Sequence, residues 1–290
     1  MVNVYEQVSA NKRNSFVIIF LFVAFIISAA FLINYAFNLD YLIPIAIIFS
    51  LFSSFFGYFY GDKIILTMHG AKEADRQHYF NYYTVVENLS IASQIPLPKT
   101  YIIDTPAPNA FATGRDPNHA IICITTGLLE KLNRTELEGV IAHEISHIKN
   151  FDIRLMMIVS ILLGTLTILI NMSWYSRRNS DNNEDKNNIL ALLGFFMIIF
   201  APIIGQLIQL AISRRREFLA DASAVKLTRQ PDGLINALKK ISSDRNIFAT
   251  ASTATSSLYI SNPFKDNKIT SLFSTHPPTK DRIKALEQMM

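Results

Sequence analysis

Residues 143–147 read His143-Glu144-Ile145-Ser146-His147, two histidines four positions apart with a glutamate beside the first. On an α-helix such histidines share a face, so both imidazoles can reach one ion. Zinc accepts neutral imidazole nitrogen at about 2.0–2.1 Å and favours four-coordinate geometry. Glu144, one position on, cannot join that pair. It is placed instead to take a proton from water at the ion, which makes the water a nucleophile near neutral pH. Leu137, Val140, Ile141 and Ile145 supply the apolar face of a helix here, and Thr135 and Glu138 have capping-box spacing at its start. A random chain of this length holds the pattern on the order of once in a hundred times, so the case rests on finding more ligands.

A catalytic zinc takes three protein ligands and keeps one position open. A third histidine six residues on is absent, because position 153 is Ile. Further down, Glu217 and Asp221 follow Arg214, Arg215 and Arg216 and again stand four apart. One carboxylate can ligate the metal while the other accepts the free N–H of a ligating histidine and fixes its tautomer. The competing reading has both as surface acids paired with the three arginines. Two histidines and one carboxylate make zinc the default ion. His276, in Thr275-His276-Pro277-Pro278, has two readings. It can stabilise the oxyanion formed when water attacks a peptide carbonyl, a role worth a few kcal/mol, or simply pack in a proline-rich turn. His69, His78 and His119 lack partner spacing and read as surface or core residues.

The elements that carry these residues sit in an unusually apolar chain. Of 290 residues, 50% are hydrophobic and 17% charged, where a soluble domain has about a quarter charged. High apolar content and a net charge of only +4 exclude disorder. The single Cys123 excludes a disulfide framework and reads as a core residue. No serine triad, phosphate-binding glycine loop or nucleic-acid module is present. The three arginines directly follow an apolar block, which favours a headgroup contact at about 1 kcal/mol each over nucleic acid.

Stretches 15–39, 41–61, 155–175 and 187–213 contain no Asp, Glu, Lys or Arg, and each exceeds the roughly 20 residues a membrane-crossing helix needs. The first continues past Ser28-Ala29-Ala30, and the second follows after a turn at Asp40, so an anchored hairpin fits better than a cleaved leader. Thr165, Thr167, Asn171, Pro202, Gln206 and Gln209 suggest that the last two blocks pack partly on protein. Lys12, Arg13, Lys63, Lys72, Lys149, Arg154 and the arginine triplet flank the blocks so that both termini face the cytoplasm. The organisation expected is a membrane hairpin over 1–61, a first cytosolic segment over 62–154, a second membrane pair with an outside loop over 155–213, and a second cytosolic segment over 214–290. Both cytosolic segments would build one domain. The first segment reads as a helical stretch near 72–91, a break at Pro96 and Pro98, and short β-like runs at 99–103 and 120–125. Between those runs, 109–114 reads as an extended segment ending in a turn.

Residues 143–155, 213–221 and 274–278, in that order, resemble the HtpX-type membrane zinc metalloproteases, bacterial heat-shock proteases distantly related to the CAAX prenyl proteases. Residues 109–114 also match a segment typical of that family. The resemblance covers nearly the whole chain, with no departure at a ligand position. It implies an α+β fold, with four transmembrane helices and a mainly helical zincin-like cytosolic protease domain containing a small β-sheet. It also implies one zinc held by His143, His147 and Glu217, Glu144 as general base and Asp221 orienting a ligand. Asn109, Ala110, Phe111 and Ala112 would form an edge strand that pairs with an extended substrate, a form of β-augmentation. The partners implied are the lipid bilayer and misfolded or damaged membrane proteins, cut on the cytoplasmic side of the bacterial inner or plasma membrane. Two rivals are a CAAX-like peptidase of narrow specificity and a non-catalytic zinc-binding scaffold. Four spans alone cannot enclose the large chamber of the first, and the second has no need of Glu144. A transporter is disfavoured because no block carries an acid or base.

Overall fold

The structure, a computed structural model, describes residues 4–37, 41–178, 214–244, 246, 255, 258–261 and 277–290. Two apolar helices come first, α1 (Val4–Phe37) and α2 (Leu42–Met68). Val8–Leu32 and Leu42–Met68 are each long and apolar enough to cross a membrane. Phe20, Phe31, Ile48, Phe52 and Phe55 point outward from them, as side chains facing lipid do. The inward face of α2 is built of small residues, Ser50, Ser54, Gly57 and Gly61. A Cβ at Gly57 would stand 3.0 Å from Ile161, and one at Gly61 would stand 3.0 Å from Met157. Small residues of this kind let helices approach closely where lipid supplies no hydrophobic drive.

The neighbour they admit is α6 (Asp152–Arg178), which contains the third apolar block. It leaves the preceding helix, α5 (Arg134–Lys149), after an 83° bend. Ile153, Leu155, Met157, Ile158 and Val159 are deeply buried, so α6 begins inside protein. The fourth block, 187–213, lies outside the described residues.

Four short strands, β1 (Lys72–Glu73), β2 (Lys99–Ile103), β3 (Ala110–Thr113) and β4 (Ile121–Thr125), form one mixed sheet in the order β1-β2-β4-β3. β4 runs parallel to β2 and antiparallel to β3, with Ala110 opposite Ile124. All five residues of β4 are buried, as a central strand covered on both faces requires. β3 is the outer strand on one side. The helix expected over 72–91 is shorter, α3 (Phe80–Ser93). Lys72 and Glu73 pair with β2 instead, and the Asp75 carboxylate accepts the backbone N–H groups of Gln77 and His78. That side chain holds the backbone in a turn and delays the helix.

α5 is capped by Asn133 and Glu136 rather than by Thr135 and Glu138. Asn133 Oδ1 accepts the Glu136 N–H at 2.9 Å, and Glu136 Oε2 accepts the Asn133 N–H at 2.8 Å. Asparagine is at least as good an N-cap as threonine. Lys240 also reaches Glu136 at 2.7 Å, which fixes that register.

α5 packs against α3, α7 (Arg214–Thr228) and α8 (Pro231–Ser243), with α4 (Thr126–Lys131) and α9 (Thr279–Glu287) nearby. Tyr82, Ile122, Ile141, Ile145, Leu234, Leu238 and Leu286 belong to one apolar core, drawn from both sides of α6 in sequence. Contact between α5 and α8 is close enough to require glycine. A Cβ at Gly139 would sit 2.7 Å from the Leu234 backbone nitrogen. Gly139→Ala is therefore expected to push the two helices apart and cost roughly 1–3 kcal/mol, seen as a lower Tm in detergent. An unchanged Tm would contradict the packing described.

Candidate metal centre

α5 presents His143, Glu144 and His147 into the interior, where they are 1%, 2% and 4% exposed. α7 supplies Glu217 and Asp221 from one face, both buried. The two imidazoles and the Glu217 carboxylate converge, with one ligand atom from each lying within 4.8 Å of the others. His143 Nε2 and His147 Nε2 are 3.2 Å apart. Glu217 oxygens stand 3.7 Å from the first and 3.4 Å from the second. A tetrahedral ion bound at about 2.0–2.1 Å holds its ligands roughly 3.3–3.4 Å apart, so the triangle has the size zinc needs.

The other ring nitrogens explain why both Nε2 atoms can face one point. His143 Nδ1 lies 2.9 Å from Asp221 Oδ1, and His147 Nδ1 lies 3.0 Å from Asp152 Oδ2. Each carboxylate takes an Nδ1–H, which leaves each Nε2 with a lone pair directed at the same place. Two such lone pairs at 3.2 Å repel unless a proton or a metal ion lies between them. The donor set and its tautomers therefore fit zinc.

Asp152 and Arg282 were not among the residues singled out from the sequence. Asp152 lies just past the end of α5, where Phe151 takes a left-handed φ of 59°. That turn, costly for a bulky residue, folds the chain back so that Asp152 meets His147. Asn11 of α1 donates to Asp152 Oδ1 at 2.7 Å and to the Asn150 carbonyl at 2.8 Å, tying the first apolar helix to the site. Arg282 of α9 grips Asp221 with two nitrogens, at 2.9 and 2.6 Å. It is 2% exposed, and its Nη1 stands 3.5 Å from Glu217 Oε2. The one local signal for Asp152 is an acid three positions before an uncharged block. Nothing near Arg282 in sequence marks it.

Burial pushes the Glu144 carboxyl up to about 7, against the pull of His147 and with a further push from Glu217. The backbone N–H of Ala112 also bonds this carboxylate, so β3 lies beside the base. Such a value suits proton transfer near neutral pH. Asp152→Asn is expected to weaken zinc binding about 10–100-fold, the usual cost of losing an outer hydrogen-bond partner. Competition with a chromogenic chelator would measure it, and wild-type affinity would contradict the role given to Asp152.

Of the proposed substrate strand, Ala110, Phe111 and Ala112 lie in β3 and Asn109 just before it. This outer strand is not open along its whole length, because the Ile260 N–H bonds the Ala110 carbonyl and Tyr259 bridges to Phe111. His276 lies outside the described residues. His78 and His119 are exposed, whereas His69 is buried at the end of α2 with its Nε2 2.5 Å from the Tyr259 hydroxyl. Cys123 is a fully buried core residue.

Comparison with known proteins agrees with this geometry. Residues 81–290 match peptidase family M48. A "Protease HtpX homolog" of Dictyoglomus turgidum is 44% identical over 98% of this chain and 94% of its own length. One from Ligilactobacillus salivarius is 42% identical over 98% and 99%. Among solved structures, Ste24p of S. mikatae shares the fold at a TM-score of 0.54 and 20% identity, over 92% of this chain and 62% of that one. With a metal-sized triangle of two histidines and a glutamate inside the matched region, and near full-length relatives on either side of it, the chain belongs to peptidase family M48 and is a membrane metalloprotease.

Proposed function

We propose that this metalloprotease uses zinc held by His143, His147 and Glu217 to hydrolyse peptide bonds in misfolded or damaged membrane proteins at the cytoplasmic face. In this reading the membrane part has four spans and the catalytic part is zincin-like. The observation that carries it is the convergence of both Nε2 atoms and the Glu217 carboxylate, reached from one side by a buried base. A zinc ion held there supplies Lewis acidity, polarising a peptide carbonyl and making water acidic enough to attack near neutral pH. Glu144 takes the proton from the attacking water and returns it to the leaving amine. Asp221 and Asp152 hold the ring tautomers throughout. The main chain of β3 aligns an extended stretch of substrate, a mode that selects for unfolded segments because folded ones have no free backbone to offer.

The flanking lysines and arginines support the cytoplasmic side. A test of both substrate class and side uses vesicles containing the enzyme and a membrane protein whose soluble domain is either stable or destabilised. Cleavage of the destabilised form alone, within the domain on the side that carries the termini, is expected. Equal cleavage of both forms would contradict the quality-control role. Strong preference for a prenylated peptide would favour the narrow peptidase instead.

A further inference from the structure

If an extended substrate aligns on β3, its place is already taken. The Ile260 N–H donates to the Ala110 carbonyl at 3.0 Å, and Tyr259 forms an antiparallel bridge with Phe111. Asn109 Nδ2 donates to the Ser261 carbonyl at 3.2 Å. On the other side, Arg282 Nη1 donates to the Ile260 carbonyl at 2.8 Å, and the same nitrogen is the one 3.5 Å from Glu217. Residues 258–261 therefore lie along β3 and reach, through one guanidinium, the carboxylate of the metal centre. Leu258, Tyr259 and Ile260 are 3%, 1% and 1% exposed.

The polar groups that hold this stretch at the site contact its backbone. A carbonyl of the outer strand, an asparagine amide and an arginine are satisfied by main-chain N–H and C=O groups, which every peptide carries. They can therefore serve any extended chain laid in the same place. The fastening specific to this stretch is made by its side chains: Ile260 joins the core that holds Ile141 and Ile145, Leu258 and Tyr259 pack with Phe111, and a polar tether lies further from the metal. There the Tyr259 hydroxyl meets His69 Nε2, while His69 Nδ1 bonds the Ile65 carbonyl of α2 at 2.7 Å. Backbone contacts that any extended peptide can make, beside side-chain contacts that only this stretch makes, are what an internal stand-in for substrate needs.

We infer that residues 258–261 are an internal competitor in the substrate site, displaced when an unfolded chain enters, and that Asn109, Ala110 and Arg282 then hold the backbone of the substrate. This rests on the protease reading above and adds a restraint to it. A chain able to present a long free stretch outcompetes the tethered segment, and a folded protein does not.

The test compares zinc-loaded full-length wild type with Tyr259→Phe, which loses the hydroxyl facing His69, and Ile260→Pro, which loses the N–H given to Ala110. With an unfolded protein as substrate, each variant should raise kcat/KM about two- to tenfold, the worth of one lost hydrogen bond, mainly through a lower KM. A second readout leaves the segment unmutated. In Glu144→Gln protein saturated with the same substrate, hydrogen exchange at the Ile260 amide should quicken. Wild type that cleaves while both folded, zinc-loaded variants are no faster would overturn the inference and leave the protease reading intact. So would an Ile260 amide that stays protected with substrate bound. Absence of cleavage by wild type and both variants would instead remove the reading on which the inference rests.

Discussion

Glu144→Gln is expected to lower peptide cleavage by at least about a thousandfold, within the range that a positioned general base contributes, while zinc content stays at the wild-type level. The amide has nearly the shape of the carboxylate and keeps an oxygen for the Ala112 N–H that bonds Glu144. It cannot accept the proton of the attacking water. None of the distances that define the metal triangle involves Glu144, so the ligands have no reason to move. Zinc analysis of the purified variant, beside a cleavage assay, separates the two effects. Activity within tenfold of wild type would mean that another group acts as the base.

Glu217→Ala should fail in the opposite way, losing the metal first and activity as a consequence. The variant keeps both imidazoles, whose Nε2 atoms are 3.2 Å apart in the wild type, but removes the carboxylate that completes the triangle and balances part of the charge of the ion. Arg282 would then keep Asp221 but lose the Glu217 carboxylate 3.5 Å from its Nη1, and its less balanced charge opposes a cation further. Zinc affinity should fall by more than the roughly 10–100-fold typical of an outer partner, and so by more than in Asp152→Asn. Chelator competition on both variants gives the order. Zinc retained by Glu217→Ala as tightly as by wild type would show that the third ligand is another residue.

The two helical pairs at the site were legible because four-residue spacing on a helix carries its own geometry. His143 with His147, and Glu217 with Asp221, each share a face wherever their helices lie. The partners that complete the site were not legible, and the reasons are physical. Asp152 reaches His147 only because Phe151 adopts a positive φ, a conformation that its identity argues against. Arg282 finds Asp221 across 61 positions of chain, a pairing that only the packing of α9 on α7 creates. Residues 258–261 are too short and too apolar to be told from an ordinary buried turn.

Among the fold elements, the β-like runs and the extended segment were readable as short runs after the break at Pro96 and Pro98, and their order in the sheet was not. The start of α3 was misplaced because one carboxylate, Asp75, outbids the helix for two backbone N–H groups. The cap of α5 was misplaced by two residues because two polar pairs with the same spacing stand side by side. The length of the third apolar block was plain. That its first turns are buried in protein was not, since the same apolar side chains suit lipid and core alike.

The most direct test of the zinc-protease account is metal removal and return on the unmutated chain. Detergent-purified enzyme would be assayed on an unfolded protein before chelation, after it, and again as zinc is added back. The account predicts cleavage that disappears with the metal and returns in full at one zinc per chain. Cleavage that survives complete removal of the metal, or none from protein carrying one zinc per chain, would contradict it.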